Sequence, residues 1–504
     1  MKKMYLIAPD KIGKVNRNIY GHFVEHIGGV FYDGLWSEND RVETVKGFRK
    51  EIVDGLKKIK APVIRWPGGC YAETYRWRDG IGSPEKRPVR SSWWTSYDGR
   101  YESNKVGTAE FINLCREVGA EPYIAANLTS QTPLDMREWM DYCNSPAGVN
   151  ALAKEREENG SREPFNVKFW GVGNENWGGG GAMTPEYYGL EYRRYSKLCN
   201  NLCADAKLFA CGPNEEDYEW TRKFLQTIKT ALPSCQCLDG LSLHYYCFNL
   251  EEENPVAFDR NGWYRVLWQA VHTDEVIKRH WNIIKGEFME QKASLVIDEW
   301  GCWHKDGSGP SHGYNLYEQQ STLRDAAVTA VSLNIFNNNC DKIQMANVAQ
   351  LVNNLHCLYL AAGEECVATP TYYVFDMFKE HQDAEAIRCV LDPRETIDVT
   401  NPSGKKTEIP EISISATIKC DRIHITLVNL SYDKEAEIEL VPVGFEFIKE
   451  AGVKTVLSNE DLCACNTFEY KTRVVPESKK FSFNDKLIIP AGGIASLNLP
   501  VKNI

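Results

Sequence analysis

The stretch Thr108-Ala-Glu-Phe-Ile-Asn-Leu-Cys-Arg-Glu-Val118, followed by Gly119 and then by Pro122-Tyr-Ile-Ala-Ala126, shows the pattern on which most of this chain is built. Its apolar residues recur at helical spacing, at Phe111, Ile112, Leu114, Cys115 and Val118. Gly119 is a typical helix stop, and the apolar run that follows it has the character of a strand. The pattern therefore predicts a helix that leads directly into a buried strand.

Eight short apolar runs alternate with longer amphipathic stretches across residues 18–382. The runs cover residues 18–25, 62–67, 122–126, 169–173, 208–212, 241–246, 294–299 and 342–346. Eight strand–helix units are the number that closes a barrel of parallel strands. An open doubly wound sheet fits less well, because no GxGxxG fingerprint follows the first run. We therefore predict an α/β fold, a (β/α)8 TIM barrel, for residues 18–382.

The pattern changes after residue 383, where apolar and polar residues alternate with period two. Residues 412–418 and 422–428 are the clearest of these runs, and turn-rich segments separate them from later ones. Strands without intervening helices cannot extend the barrel, so residues 383–504 are predicted to form a second domain, a jelly-roll-like β-sandwich. Residues 1–17 are also β-prone, and we expect this N-terminal segment to pair with the sandwich.

The composition is that of a soluble globular protein. Of the 504 residues, 43% are hydrophobic and 25% are charged, and 58 Lys and Arg against 69 Asp and Glu give a net charge of −11. This acidic balance argues against a nucleic-acid partner or an anionic membrane surface. No apolar run approaches the roughly 18–20 residues that span a bilayer. The start lacks the apolar core of a signal peptide, and the 17 cysteines are scattered, so we expect reduced thiols and a cytoplasmic protein.

Two glutamates stand at matching positions of two predicted barrel strands. Glu175 follows the fourth apolar run, and Glu299 ends the seventh. Barrel enzymes build their active sites at the carboxyl ends of the strands, where the loops converge. A single glutamate there is usually a cap or an ion-pair partner. A pair on one rim instead favours glycoside hydrolysis, which needs one carboxyl group as acid/base and another as nucleophile or base.

Other polar residues lie at the same predicted rim. Asn174 directly precedes Glu175 and suits a sugar hydroxyl, and Arg65 is placed to keep a carboxylate ionised. His244 and Tyr246 end the sixth run, and Gln350 follows the eighth. Flat apolar faces for a sugar ring are offered by Trp177, Trp300 and Trp303.

Together with these residues, longer motifs make the chain resemble glycoside hydrolase family 51, the α-L-arabinofuranosidases, nearly from end to end. The resemblance rests on an ordered set of motifs: Asn18-Ile-Tyr-Gly-His-Phe-Val-Glu-His-Ile27, Arg65-Trp-Pro-Gly-Gly-Cys-Tyr71, Trp77-Arg-Asp-Gly-Ile-Gly82, Gly173-Asn-Glu-Asn-Trp177, Ser242-Leu-His-Tyr-Tyr246, Asp298-Glu-Trp300, Met345-Ala-Asn-Val-Ala-Gln-Leu-Val-Asn353 and Thr369-Pro-Thr-Tyr-Tyr-Val-Phe-Asp376. It implies a barrel with a β-sandwich, and it implies a hexamer.

The resemblance also implies roles for individual residues. Glu175 is implied as the acid/base and Glu299 as the nucleophile. The implied substrate contacts are Glu25, Asn174 and Gln350 at the sugar hydroxyls, Arg65 and Tyr246 beside the nucleophile, and Trp303 as a wall. His244 joins this set only by its place at the end of the sixth run. Cys70 stands where some relatives have asparagine, and its thiol is the weaker hydrogen-bonding group.

We therefore expect a retaining, exo-acting α-L-arabinofuranosidase that removes terminal non-reducing arabinofuranose from arabinan or arabinoxylan oligosaccharides. The alternatives are another retaining glycosidase on the same barrel, such as an endoglucanase or a β-xylosidase, and a non-catalytic carbohydrate-binding barrel. No cofactor and no metal are predicted, because two-carboxylate chemistry needs no Lewis acid. The run His22-Phe-Val-Glu-His26 matches a zinc-peptidase pattern, but that pattern needs a helix and this run is β-prone.

Overall fold

The computed structural model describes residues 2–200, 202, 205–287, 293–448 and 452–502. The strands in chain order are β1 (Lys2–Lys14), β2 (Gly21–Phe23), β3 (Thr44–Val45), β4 (Phe48–Arg49), β5 (Val63–Trp66), β6 (Arg90–Ser91), β7 (Tyr101–Glu102), β8 (Glu121–Ala126), β9 (Phe169–Val172), β10 (Lys207–Ala210), β11 (Gly240–Asn249), β12 (Ser294–His304), β13 (Ile343–Ala349), β14 (Tyr359–Ala362), β15 (Glu365–Ala368), β16 (Glu385–Asp392), β17 (Thr396–Thr400), β18 (Lys406–Pro410), β19 (Ile412–Lys419), β20 (Arg422–Asn429), β21 (Ala436–Val443), β22 (Glu446–Phe447), β23 (Gly452–Leu457), β24 (Glu477–Phe481), β25 (Leu487–Ile489) and β26 (Ile494–Lys502).

The helices lie between the barrel strands. They are α1 (Lys50–Lys58), α2 (Thr95–Asp98), α3 (Thr108–Val118), α4 (Pro133–Asn144), α5 (Ala151–Glu158), α6 (Pro185–Cys199), α7 (Tyr218–Lys229), α8 (Arg260–Glu287), α9 (Leu323–Asn338) and α10 (Pro370–Phe378). Short 3-10 helices occupy Arg17–Tyr20, Cys70–Thr74, Trp77–Gly80, Pro84–Lys86, Pro233–Cys235 and Lys379–His381. Within the described ranges, no helix combines the length and the apolar character needed to cross a bilayer.

Eight strands close into a barrel in the order β10-β11-β12-β13-β2-β5-β8-β9. The successive pairs from β2 through β5, β8, β9 and β10 to β11 are all parallel. At least one helix follows every barrel strand, which is the alternation expected from the sequence. Each of the eight predicted runs overlaps a barrel strand, so the (β/α)8 prediction is confirmed. The first run is shorter than expected, because Arg17–Tyr20 forms a 3-10 turn in which the Ile19 N–H donates to Asn16 O.

Helix α3 shows why the sequence pattern was informative. The five apolar residues that recur at helical spacing are buried, and the C-terminus of the helix is closed by Gly119, whose φ of +84° is left-handed and whose N–H donates to Cys115 O at 2.8 Å. Such a conformation costs glycine little and other residues more. The chain then turns directly into β8, as the sequence predicts.

The C-terminal part of the chain forms a ten-stranded sheet. Its longest path runs β24-β23-β26-β20-β19-β16-β1-β21-β25, and β22 pairs with β26. Apolar residues from β1, β16, β19, β20, β21, β24, β25 and β26 pack into one core cluster, so the sheet encloses its own apolar layer as a β-sandwich does. The all-β prediction for this region is confirmed. Strand β1 lies inside the sheet, parallel to β21 and antiparallel to β16.

Backbone contacts divide the chain into two compact units. The first comprises residues 1–20, 246–275 and 300–504, and the second comprises residues 21–245 and 276–299. These limits pass through β11 and β12 and differ from the domain limits predicted at residues 17 and 382, so those limits stay a prediction. Sixteen cysteines of the described chain form no disulfide, in keeping with the expected reduced thiols.

Candidate active site

The second compact unit brings Glu175 and Glu299 together, as predicted. His244 Nδ1 lies 2.9 Å from Glu175 Oε1 and 3.5 Å from Glu299 Oε2. One oxygen of each carboxyl group and one nitrogen of His244 all lie within 4.8 Å of one another. Glu175 lies just beyond β9, and His244 and Glu299 lie midway along β11 and β12, which continue to Asn249 and His304. Barrel enzymes carry their chemistry towards the carboxyl ends of the strands.

Arg65, in β5, is the cation of this site. Its Nη1 donates to Glu299 Oε1 at 2.7 Å and its Nη2 donates to Asn174 Oδ1 at 2.6 Å, while its Nε lies 3.9 Å from Asp298 Oδ2. Burial works to lower the pKa of Arg65, but Asp298 and Glu299 outweigh it, so the pKa lies above its usual value. The guanidinium therefore stays charged beside Glu299.

The chain makes an unusual turn where β9 ends. Gly173 has a φ of +85°, and Glu175 itself has a φ of +45°, in the left-handed region that non-glycine residues rarely adopt. A Cβ on Gly173 would lie 2.1 Å from Asn176 Oδ1, so only glycine fits there. Asn174 Nδ2 is buried and has no hydrogen-bond partner among the described residues. This amide is therefore free to donate to a ligand.

Glu25 follows β2 and is buried. Its Oε1 accepts hydrogen bonds from the Tyr71 N–H and from Trp94 Nε1, each at 2.9 Å. Burial, with the negative charge of Glu299, raises the pKa of Glu25 to about 8. Near neutral pH its carboxyl group is therefore largely protonated and can donate a hydrogen bond as well as accept one. A Cβ on Gly69 would lie 2.6 Å from Glu25 Oε2, so glycine is required at that position.

The glycine-rich segment after Glu175 is packed onto the site. The N–H groups of Gly178 and Gly180 donate to Glu175 O at 2.8 and 3.0 Å. A Cβ on Gly179 would lie 3.0 Å from Cys70 Sγ and 3.2 Å from the Trp93 ring. Glycine at residues 178–181 therefore allows the backbone to approach these side chains closely. Cys70 Sγ itself lies 3.9 Å from Glu175 Oε2, which makes it a weak contact.

His244 lies between the two carboxyl groups. Burial alone would lower the pKa of His244, but the charge of Glu299, together with the hydrogen bond and charge of Glu175, raises it above the usual value. A protonated imidazole between two carboxylates reduces their mutual repulsion. The sequence predicts that His244 lies at the rim, but it does not predict that His244 bridges the two carboxyl groups.

Three further predicted contacts lie in the first compact unit. The ring of Tyr246 meets the ring of Trp303 edge-on with centroids 5.1 Å apart, and Phe248 and Tyr317 also contact Trp303. Gln350 directly follows β13 and is buried. All three lie at the carboxyl end of a barrel strand, as expected.

Trp300 is a core residue and does not offer a face to a sugar. It is 2% exposed, and its ring packs against Phe336, His356 and Phe375. Successive residues of a strand point to opposite faces, so Glu299 and its neighbour cannot both face the same side. The suggestion that Trp300 lines the sugar site is therefore wrong.

The zinc-peptidase pattern at residues 22–26 is not a metal site in this fold. His26 Nδ1 lies 3.0 Å from Glu102 Oε2, and its Nε2 accepts from Trp66 Nε1 at 2.9 Å. The motif runs from β2 into a loop and contains no helix. Across the described chain, two groups have metal-type donors close together: the site itself and Cys302, His304 and Asp325. In the second group His304 donates to Asp325, which also caps α9 at Thr322, so these side chains satisfy one another.

Glu73, which the sequence pattern does not single out, lies beneath the turn that carries Glu175. Its side chain is 1% exposed. Its Oε1 accepts from the Asn174 N–H and Asn176 Nδ2, and its Oε2 accepts from the N–H groups of Leu128 and Thr129, all at 2.7–2.9 Å. No local signal distinguishes this glutamate, because its partners come from distant parts of the chain.

Comparison with known proteins agrees with this geometry. Residues 55–261 match the family model of the α-L-arabinofuranosidase 1 domain, and residues 298–490 match that of the α-L-arabinofuranosidase C-terminal domain. An intracellular exo-α-L-arabinofuranosidase of Bacteroides ovatus is 38% identical over 498 residues, which cover 96% of this chain and 93% of that protein.

Two solved structures are similar over almost the whole chain. The GH51 arabinofuranosidase from Xanthomonas axonopodis pv. citri superposes with a TM-score of 0.89 at 33% identity and covers 99% of this chain and 100% of that one. The α-L-arabinofuranosidase from Thermotoga maritima, solved with arabinose, gives a TM-score of 0.86 at 26% identity over the same shares of the two chains. On sequence, fold and coverage together, the chain belongs to the α-L-arabinofuranosidases of glycoside hydrolase family 51.

Proposed function

We propose that this enzyme is a retaining, exo-acting α-L-arabinofuranosidase that releases terminal non-reducing arabinofuranosyl residues from arabinan or arabinoxylan oligosaccharides. The observation that carries the proposal is the pair Glu175 and Glu299, which have one carboxyl oxygen each within 4.8 Å of the other. Retaining glycosidases hold their two carboxyl groups about 5–5.5 Å apart, and inverting ones leave about 6.5–9.5 Å for a water molecule. The short spacing supports retention.

In this mechanism Glu299 is the nucleophile. Its carboxylate attacks the anomeric carbon of the arabinofuranosyl residue, and the bond to the leaving oxygen breaks as Glu175 gives that oxygen a proton. Water, deprotonated by Glu175, then attacks the arabinosyl–Glu299 ester and releases arabinose with its original configuration. Arg65, at 2.7 Å from Glu299 Oε1, supports an ionised nucleophile.

The remaining predicted residues are proposed to bind the sugar. The unpartnered Asn174 Nδ2 supports a role as a hydroxyl donor, and the high pKa of Glu25 supports one as a donor and acceptor. Gln350, Tyr246, Trp303, His244 and Cys70 complete the proposed set on the strength of their places at the barrel rim. No metal or cofactor takes part in the proposed chemistry.

Short oligosaccharides suit the cytoplasmic location that we propose, and the name of the Bacteroides ovatus relative, an intracellular exo-enzyme, supports both. Assembly into a hexamer is likewise a proposal, made from the family resemblance. The competing activities are those of an endoglucanase or a β-xylosidase. Turnover of aryl glycosides separates them, since we expect α-L-arabinofuranosides to be cleaved far faster than β-xylosides or β-glucosides.

Azide rescue tests the two catalytic roles. Glu299→Ala should abolish turnover, and added azide should give an arabinosyl azide of inverted configuration. Glu175→Ala should still release good leaving groups, and azide should give the retained product. The reverse pattern would exchange the two roles, and an inverted sugar as the first product of the unmodified enzyme would refute retention. The unmodified enzyme with azide, which should only hydrolyse, is the control.

A further inference from the structure

The backbone conformation of Glu175 needs an explanation beyond the chemistry of its side chain. A non-glycine residue at a φ of +45° is in a sparsely populated, strained region and persists only where its surroundings hold it. The side chain depends on this conformation, because it directs Oε1 to His244 at 2.9 Å. Something in the fold must therefore stabilise the turn against relaxation to an ordinary φ.

The carboxylate of Glu73 accepts hydrogen bonds from the turn on both sides of Glu175. Its Oε1 accepts from the backbone N–H of Asn174 at 2.7 Å and from the side-chain Nδ2 of Asn176 at 2.8 Å. Glu175 is the one residue between these two contacts. Asn176 Nδ2 also donates to Gly180 O at 2.7 Å, so the same amide ties the glycine-rich segment to the turn.

The other carboxyl oxygen of Glu73 is hydrogen-bonded to the segment that follows barrel strand β8. Its Oε2 accepts from the N–H groups of Leu128 and Thr129, just beyond β8, at 2.9 and 2.8 Å. The Ser130 hydroxyl donates to Glu73 O at 2.8 Å. The carboxylate thus joins the end of β8 to the end of β9 and leaves the turn with a rigid support.

All four partners of the Glu73 carboxyl group are N–H donors. The pKa of Glu73 lies above its usual value, because burial outweighs the bonds from the Thr129, Asn174, Asn176 and Leu128 donors, which work to lower it. A protonated acid would bring an O–H donor against an N–H donor, so only the ionised form fits all four contacts. Charge-assisted bonds of this kind are roughly twice as strong as neutral ones.

From this geometry we infer that Glu73 is a positioning residue that holds Glu175 in the left-handed conformation needed for proton transfer to the leaving group. The inference rests on the proposed role of Glu175 as acid/base. It concerns a residue that contacts neither of the two reacting carboxyl groups, so Glu73 acts only through the turn that it supports.

The test compares substrates whose leaving groups need a proton to different degrees. In Glu73→Gln the amide NH2 must face two N–H donors whichever way it turns, so two of the four hydrogen bonds are lost. We expect kcat/KM for an arabino-oligosaccharide to fall about 100-fold, the size of effect that small misplacements of catalytic groups produce. For 2,4-dinitrophenyl α-L-arabinofuranoside, whose leaving group needs little protonation, we expect a fall of less than about fivefold.

The ratio of the two kcat/KM values does not depend on the fraction of protein that is folded, so a purely structural role would leave it unchanged. Glu110→Gln is the matched control: Glu110 accepts from the Gly107 N–H and from Arg87, away from the turn, and its loss should not move the ratio. Glu73→Asp keeps the charge on a shorter side chain, so we expect an intermediate ratio. If Glu73→Gln does not fold, the ratio is measured on Glu73→Asp instead.

A Glu73→Gln enzyme whose two kcat/KM values fall by the same factor, or do not fall, would overturn the inference. Failure of the underlying function looks different, because it would show as a Glu175→Ala enzyme with an unchanged ratio. A crystal structure of Glu73→Gln gives the direct readout. Glu175 should leave the positive-φ region, and an unmoved Glu175 would count against the inference.

Discussion

Removing the charge of Arg65 should destabilise the enzyme by an amount that depends on pH. In Arg65→Met, the carboxyl groups of Glu299 and Asp298 remain buried, with side chains 8% and 5% exposed, but lose the cation that lies 2.7 and 3.9 Å away. Breaking a buried ion pair by removing one partner costs about 3–5 kcal/mol. A cooperative unit of 150–250 residues loses about 2–4 °C in Tm per kcal/mol, so we expect a fall of about 6 °C or more at pH 7.5.

The sign of the pH dependence follows from Asp298. Burial raises the pKa of this carboxyl group in the folded protein, although Arg65 works to lower it. Without Arg65 the pKa must lie higher still. When the folded pKa of a carboxyl group is above its unfolded value of about 3.9, the folded protein loses stability as pH rises from that value through the folded pKa. The difference in Tm between the variant and the unmodified enzyme should therefore be small at pH 4.5 and large at pH 7.5.

Differential scanning calorimetry at the two pH values measures the effect. Arg156→Met is the matched control, because Arg156 is equally buried but donates only to backbone carbonyls, those of Ser161, Tyr142, Ser145 and Arg162. Its loss should lower Tm by a similar amount at both pH values. If Arg65→Met and Arg156→Met showed the same pH dependence, the reasoning about the buried carboxyl groups would be refuted.

Three further predictions concern activity. His244 has a raised pKa, so kcat/KM should fall on the alkaline side as it loses its proton. The pH–rate profile of His244→Gln should therefore have an altered alkaline limb, and an unchanged limb would assign it to another group. Gly179→Ala should raise KM for oligosaccharides severalfold, because the new Cβ would lie 3.0 Å from Cys70 Sγ, whereas Gly178→Ala, with its nearest atom at 3.9 Å, should not. Dialysis against a chelator should leave kcat/KM unchanged, and a loss restored by zinc would contradict the two-carboxylate mechanism.

The parts of this fold that could be predicted are those that repeat locally. Helix α3 and strand β8 follow from spacing and a glycine stop, and eight such units imply the barrel and the rim on which Glu175 and Glu299 lie. Alternation along β12 sets Trp300 on the opposite face from Glu299, so its place in the core also follows from the sequence.

What could not be predicted depends on contacts between distant segments. Glu73 lies in a 3-10 turn, and its partners are 55 to 103 residues away along the chain. The positive φ of Glu175 is equally invisible in the sequence, because glutamate has no preference for that conformation. The place of His244 between two carboxyl groups required the closed barrel to bring three strand ends together.

Strand β1 sets a constraint on how the enzyme is made. It lies between β16 and β21, yet about 370 residues separate its end from the start of β16. At translation rates of about 5–20 residues per second, the ribosome needs roughly 20–75 s to supply the first partner. Throughout that time, Met4 and Leu6, which are fully buried in the finished sheet, have no native surface to cover them. Synthesis therefore leaves an unpaired strand exposed for far longer than a hairpin takes to form, and efficient production depends on protecting it until the last quarter of the chain arrives.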